Sequence, residues 1–191
     1  MPQANHITKP TPYASSGDFH RIFDEETDSL YRLAFVLTAD REKADQCVVS
    51  GLEDSVKGNP VFKEWARSWA RRAIIQNAQR MINPRPVEEG YPSGLNVGGR
   101  TSGQKQTEMT AILNLAPFDR FVYVMSVLEH YSDHECSVLL GCSRRDVIAA
   151  RNRALEEIVS VRVHLEQIDP SPEKPESHDN RRSLLEDLLH V

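Results

Sequence analysis

The chain has 191 residues, of which 39% are hydrophobic and 27% are charged, so it is long enough for one large domain or two small ones. Its longest apolar stretch, residues 121–128, is far shorter than the roughly 20 residues that a membrane-spanning helix needs, and its polar N-terminus does not resemble a secretory signal. The 3 cysteines cannot all pair, which favours a reducing compartment inside the cell. The protein is therefore expected to be cytoplasmic and to have no membrane partner. The net charge of −5 argues by itself against nucleic acid as a partner.

The charge is distributed unevenly along the chain. Residues 18–58 contain five basic and ten acidic side chains, whereas residues 59–85 contain six basic side chains and a single acidic one. From residue 165 onward, seven acidic side chains stand against three basic ones. A basic segment between acidic neighbours indicates a local phosphate-binding face on a protein that has a second, differently charged surface.

Residues 18–83 are predicted to form a small helical domain. Apolar side chains recur at helical spacing over 18–37, and a break at 38–40 supplies a candidate N-cap for a helix over 41–56. A third helix is predicted over 61–82, with arginines on one face. We expect its opposite face to be buried, through Phe62, Trp65, Trp69, Ala73, Ile74 and Ala78.

Three segments do not have the composition of a packed domain. Residues 1–17 are polar with three prolines and are predicted to be disordered. Residues 84–107 contain three prolines and five glycines, which predicts a flexible linker at a domain boundary. These glycines are not expected to form a phosphate loop, because no strand is predicted before them and no Gly-Lys-Ser/Thr follows. The acidic tail 167–191 ends in a short sequence that could form an amphipathic helix over 181–190.

A second small domain is predicted over 108–166. Met109, Ile112, Leu113 and Leu115 indicate a short helix, and Pro117 begins the next one. No segment of the chain shows the period-two alternation of a strand. The predicted class is therefore all-α, with two small helical domains joined by a flexible linker, the second of them a helix-turn-helix.

The most specific local signal lies between Ser132 and Leu155. Ser132 and Glu135 make a capping box that opens a helix, and Gly141 is placed to end it. Ser143 then caps a second helix, so the pattern predicts a helix-turn-helix. Packing between the two helices is expected from Val138, Leu139, Val147, Ile148 and Ala154.

Arginines follow the second cap directly. The N-terminal residues of such a helix reach base edges in the major groove, where Arg144 and Arg145 could each take guanine bidentately. Ser143 and the helix N-terminus could hold a phosphate, and Arg151 and Arg153 are expected to contact the DNA backbone. The alternative interpretation is a plain helical hairpin with a solvated arginine face.

The stretch 115–143 resembles the C-terminal domain of the extracytoplasmic-function sigma factors. That family has a Leu-Pro-x-x-Arg helix start, a Ser-x-x-Glu box, a Leu-Gly-x-Ser turn and a Val-x-x-Arg-x-x-Arg-Ala recognition helix. The sequences at 30–34 and 44–45 are similar to the family's first domain, and together the resemblance covers most of 18–163. The matching positions in the second half are Pro117, Arg120, Ser132, Glu135, Leu140, Gly141, Ser143, Val147, Arg153 and Ala154.

The resemblance implies a bacterial sigma factor that binds core RNA polymerase, initiates transcription at promoter DNA, uses no cofactor and is controlled by an anti-sigma factor. It assigns the −35 element to Arg144, Arg145, Asp146, Ile148 and Arg151. It assigns polymerase binding to Asp45, Gln46 and Val49. It assigns the −10 strand to Trp65, Arg67, Trp69, Arg71, Arg72 and Asn77, since aromatic and arginine side chains stack on bases and neutralise phosphates. The alternative for the two tryptophans is core packing on one shared face.

The sequence departs from the family pattern at several positions. Residues 44–50 read Ala-Asp-Gln-Cys-Val-Val-Ser, where the family has Ala-Glu-Asp-Leu-x-Gln-Glu. Ala150 stands where an arginine is expected, with Arg151 beside it, and the segment leading to Trp65 is short. These departures keep two rivals open: a sigma mimic that binds an anti-sigma factor, and a polymerase-independent helix-turn-helix regulator.

Metal binding and catalysis are not expected. His130 and His134 are four residues apart, but the cap at Ser132 separates them, and the chain contains no Cys-x-x-Cys pair. No serine or cysteine lies in a nucleophile motif, so the chain is not expected to be an enzyme.

Overall fold

The computed structural model describes residues 11–86 and 108–168, apart from the side chains of Glu108 and of residues 162–168. The class is all-α, as predicted. A 3₁₀ turn (Lys63–Trp65) precedes the fourth helix, and a π-helical turn (Val124–Leu128) follows the sixth. The α-helices of the described ranges are α1 (Ser16–Glu25), α2 (Thr27–Thr38), α3 (Arg41–Lys57), α4 (Ala66–Ile82), α5 (Glu108–Asn114), α6 (Pro117–Tyr123), α7 (Asp133–Leu140) and α8 (Arg144–Ile168).

Local side-chain chemistry sets the helix ends in the first half. The predicted break after α2 is confirmed: Ala39 takes a left-handed conformation (φ 54°), and Asp40 caps α3 by accepting from the Lys43 N–H at 3.0 Å. Ser15 and Asp18 form a capping box at the start of α1. Disorder was predicted for residues 1–17, but residues 11–17 include this cap and the start of α1. Residues 1–10 lie outside the described part.

The third predicted helix begins later than expected. Residues 61–63 are paired with the N-terminal segment, because the Ala14 N–H donates to the Val61 carbonyl at 2.7 Å and the Lys63 N–H donates to the Pro12 carbonyl at 3.0 Å. Phe62 is extended, and its ring stacks on Tyr13 with centroids 4.9 Å apart. A regular helix starts only at Ala66 because this pairing holds the preceding backbone in an extended form.

Helix α2 lies at the centre of the fold. It packs against α1, α3 and α4 and also against α5 and α6, and Leu30, Ala34 and Leu37 are completely buried. One continuous apolar core runs through 19–78 and 111–158, so the two predicted domains are in contact. Of the predicted linker, residues 87–107 lie outside the described part, as do residues 169–191 of the tail.

A buried arginine joins the two halves. The Arg120 side chain is only 5% exposed, and its Nε donates to the Leu37 carbonyl at 3.2 Å. Its Nη1 donates to the carbonyls of Leu113 and Leu115 at 3.0 and 3.1 Å. These carbonyls lie at the C-terminal ends of α2 and α5, which attract a positive charge. Burial lowers the pKa of Arg120, but the guanidinium stays charged.

Replacing this arginine tests its role in joining the halves. Arg120→Met keeps an apolar stem of similar length but leaves the three carbonyls without a donor in the core. We expect the free energy of unfolding to fall by about 3 kcal/mol, measured by urea denaturation. The exposed Arg144→Ala is the control and should stay within about 0.5 kcal/mol of the parent. An unchanged unfolding midpoint in Arg120→Met would contradict the assignment.

Candidate nucleic-acid interface

The start of α8 is held by a reciprocal pair of hydrogen bonds. The Asp146 N–H donates to Ser143 Oγ at 3.1 Å, and the Ser143 N–H donates to Asp146 Oδ2 at 3.0 Å. The hydrogen bonds from the Ser143 hydroxyl and N–H lower the pKa of Asp146. Asp146, predicted as a base contact, therefore organises the first turn of α8 in this structure.

The segment before α8 has the predicted boundaries. Ser132 and Glu135 form the capping box of α7, and Gly141 ends that helix in a left-handed conformation (φ 65°). A short turn then leads into α8, which packs on α7 through buried Val147 and Ala154. The prediction that Val138 and Ile148 pack between the two helices is wrong, because both side chains are exposed. Leu139 is half-buried.

Helix α8 presents a mixed basic and apolar face to solvent. Arg144, Arg145 and Ala149 are exposed near its start, and the Ile148 side chain is 42% exposed. Exposure of Ile148 is what its predicted base contact requires. Asn152 lies on the same face one turn further along and is also exposed. The sequence reasoning missed Asn152, although its spacing of four residues from Ile148 could have indicated it.

Two arginines of α8 are engaged within the molecule. Arg153 forms a bidentate ion pair with Asp119 of α6, with Nε–Oδ2 and Nη2–Oδ1 distances of 3.0 and 2.6 Å. Arg151 forms an ion pair with Asp133 at the start of α7. These contacts hold α8 against its neighbours, so Arg151 and Arg153 have structural roles in this arrangement besides their predicted DNA contacts.

Two arginines of the predicted −10 face on α4 are also paired. Arg67 binds Glu25 at 2.5 Å and also Glu26. Arg71 Nε donates to Glu129 Oε2 at 2.7 Å, and its Nη1 donates to Ser29 Oγ at 2.9 Å. Hydrogen bonding to Glu129 raises the pKa of Arg71. The predicted −10 face therefore has much of its positive charge neutralised by carboxylates of the same chain.

Asn77 lies in the interior rather than on a strand-binding surface. Its side chain is buried, and its Nδ2 donates to Asp54 Oδ2 at 3.0 Å and to the Ala73 carbonyl at 2.9 Å. Arg80 binds the same Asp54 carboxylate. The assignment of Asn77 to the −10 strand does not fit this burial, because both amide hydrogens are already used inside the protein.

The two tryptophans do not share a buried face. Trp65 is 57% exposed in the 3₁₀ turn before α4, and its ring meets Phe62 edge-on with centroids 5.3 Å apart. Trp69 is half-buried against the core. Both rings line a cleft of about 430 Å³ together with Arg72 and Tyr131. The aromatic rings supply stacking surfaces for an unpaired base, beside two arginines and the carboxylates of Glu129 and Glu135, which also line the cleft. Tyr131 was not predicted as part of this surface.

The predicted polymerase-binding residues lie together on α3. Asp45, Gln46 and Val49 are all exposed, and Val49 projects a large apolar side chain into solvent. Glu42 and Glu53 are exposed along the same helix. The arrangement is an acidic surface with an apolar centre, which is suited to a protein partner.

The cysteines are placed for packing. Burial raises the pKa of Cys47 and of Cys136 to about 11, so both thiols are protonated at neutral pH. Across 11–86 and 108–161, no group of three His, Cys, Asp or Glu side chains is placed to hold a metal ion.

In comparisons with known proteins, no protein-family model and no curated protein sequence matches this chain. None of the helices in the described ranges combines the length and apolar character that would be needed to cross a membrane.

Removing the cap of α8 should affect both the helix and Asp146. In Ser143→Ala, the pKa of Asp146 should rise toward its ordinary value, and the first turn of α8 should fray. Because the native interaction lowers this pKa, its stabilising effect is present above the ordinary carboxylate pKa and is lost as the pH falls through the lowered value. A carboxylate titration by NMR measures the shift. Ser160→Ala, on the same helix, is the control, and an unchanged Asp146 titration in Ser143→Ala would contradict the cap.

Proposed function

We propose that this protein is a sigma-type transcription factor that binds core RNA polymerase through α3 and promoter DNA through α8. The observation that carries the proposal is the exposed start of α8. There, Arg144, Arg145 and Ile148 project from a capped helix that is fixed to its neighbours by ion pairs. A rigid helix with arginines at its N-terminal end is the arrangement by which proteins read the major groove.

The chemistry of this face is suited to a duplex. Each exposed arginine could donate two hydrogen bonds to a guanine edge, and Ile148 could pack on a thymine methyl group. Under this proposal α8 positions the protein on the −35 element, and Arg151 and Arg153 act mainly by holding the helix in place.

Opening of the −10 element requires a rearrangement under this proposal. In the described arrangement Arg71 is occupied by Glu129, which lies beyond α6 in the second half of the chain. The Gln79 side chain also donates to the Leu139 carbonyl at 2.7 Å, which adds a second contact between α4 and the α7 region. Separation of α4 from these contacts would free Arg71 and widen access to Trp69 and Arg72.

The polymerase and DNA surfaces can be tested separately. Asp45→Lys reverses a charge at the centre of the α3 surface and should abolish co-elution with core RNA polymerase. Asp28→Lys, at an exposed site on α2, should not. Equal co-elution of both variants would contradict the role of α3, and a parent chain that does not bind polymerase would contradict a sigma function.

Loss of the α8 arginines should weaken duplex binding. Arg144→Ala with Arg145→Ala should reduce the free energy of duplex binding by about 1–3 kcal/mol for each lost base contact. The measurement is the dissociation constant for a promoter duplex at fixed salt. Arg21→Ala with Arg32→Ala removes the same charge from exposed sites on α1 and α2. The proposal fails if both double variants bind the duplex alike.

The role of α4 has its own test. Glu129→Gln removes the charge that holds Arg71 and should raise the affinity for a single-stranded −10 oligonucleotide about fivefold. Glu64→Gln, at an exposed site just before α4, is the control. An unchanged affinity would mean that Arg71 has no role in binding the strand.

One set of observations favours a second candidate function. Arg67 and Arg71 of the predicted −10 surface are ion-paired, and Asn77 is buried, so much of that surface is engaged within the molecule. This pattern would suit a protein that reads duplex DNA without melting it, independently of polymerase. It would also suit a mimic that binds an anti-sigma factor. Sequence-specific duplex binding without polymerase would favour the regulator, and its absence together with anti-sigma binding would favour the mimic.

A further inference from the structure

The exposed face of α8 carries an apolar stripe that is longer than a DNA-reading surface. Leu155 and Val159 are 38% and 55% exposed, and they follow Ile148 at intervals of seven and four residues. At about 100° per residue, these three side chains point in one direction, between those of Arg144 and Arg145. Val147, Ala154 and Ile158 lie about 100° around the helix from this stripe, on the buried face.

The proposed DNA contact does not account for the whole stripe. Base reading uses the first two turns of a recognition helix, and Leu155 lies about 17 Å beyond Arg144 along the axis. A row of exposed aliphatic side chains that continues past the basic end indicates a surface that another apolar segment covers.

The C-terminal sequence has the complementary pattern. Residues 181–191 read Arg-Arg-Ser-Leu-Leu-Glu-Asp-Leu-Leu-His-Val, with leucines at 184, 185, 188 and 189 and two acidic residues between them. In a helical register the four leucines would share one face, and Glu186 and Asp187 would point away from it. The leucine face would match the apolar stripe.

The chain is long enough for this contact. The twelve residues 169–180 can span at most about 40 Å, and a flexible chain of that length has a typical end-to-end distance of about 20 Å. Along α8, Leu155 lies about 20 Å and Ile148 about 30 Å before Ile168. A tail that turns back along α8 therefore reaches the whole stripe.

We propose that residues 181–191 dock on the exposed face of α8 formed by Ile148, Leu155 and Val159, and that the docked tail competes with DNA for the start of this helix. The competition rests on the proposed function of α8, whereas the docking does not. Because the tail is part of the same chain, its effective concentration at α8 is in the millimolar range, so even a weak contact is substantially populated.

The test uses the full chain. Leu184→Asp with Leu188→Asp places charges on the leucine face, and Ser183→Asp with His190→Asp adds the same charge to the tail off that face. The first readout is the methyl NMR spectrum of Ile148, Leu155 and Val159. The leucine variant should shift these methyl signals, and the control should leave them as in the parent chain.

The second readout is affinity for a promoter duplex. The leucine variant should bind about tenfold more tightly than the control, because the competing tail is released. Unchanged methyl signals in the leucine variant would overturn the docking, whatever the DNA result. Shifted signals with equal DNA affinity would uphold docking and overturn the competition. If the methyl signals of the parent chain change with protein concentration and sedimentation shows a dimer, a second copy covers the stripe and the proposal is wrong.

Discussion

The buried guanidinium of Arg120 is the contact on which the arrangement of the two halves depends. A charged group in the interior is stable only when its hydrogen-bonding capacity is used, and here carbonyls at the ends of two helices accept hydrogen bonds from it. One of those carbonyls belongs to Leu37 of α2, and the others belong to the α5 end of the second half. The same contact therefore fixes α6 on α2 and sets the position from which α7 and α8 extend.

This arrangement of the halves leaves some of the proposed binding surfaces exposed to solvent and covers others. The start of α8 and the acidic face of α3 are exposed, whereas α4 faces the segment after α6, where Arg71 is ion-paired with Glu129. Ion pairs of this kind, partly shielded from solvent, are stronger than exposed pairs and resist competition by a phosphate. In the proposed mechanism, duplex reading is possible in the packed arrangement, whereas strand binding by α4 requires opening.

Much of the fold was predictable because its signals are local. Ser132, Glu135, Gly141 and Ser143 define helix ends through bonds that span only a few residues, so their pattern is visible in the sequence. The late start of α4 was not predictable in this way, since it depends on backbone pairing with Pro12 and Ala14, about fifty residues earlier.

The candidate site was harder to predict for the same reason. The residue types at the start of α8 indicated Arg144 and Arg145, which are exposed. Ile148 was indicated as a base contact only by the family resemblance, whereas the residue pattern placed it between the two helices. The partners of Arg71 and Arg153, by contrast, are 58 and 34 residues away in sequence. Such contacts arise from tertiary packing, and helical periodicity does not reveal them. Asn77 was assigned to the −10 strand by the resemblance alone, whereas Asp54 and the Ala73 carbonyl hold its amide in the interior.

The central claim is that α8 reads promoter DNA while α3 holds core polymerase. Site-specific photocrosslinking tests it most directly, with a photoreactive residue at position 148 in one preparation and at position 49 in another, each mixed with core RNA polymerase and promoter duplex. The account predicts a crosslink from position 148 to the −35 element and a crosslink from position 49 to a polymerase subunit. A probe at 148 that never reaches DNA, under conditions where the mixture binds the promoter, would contradict it.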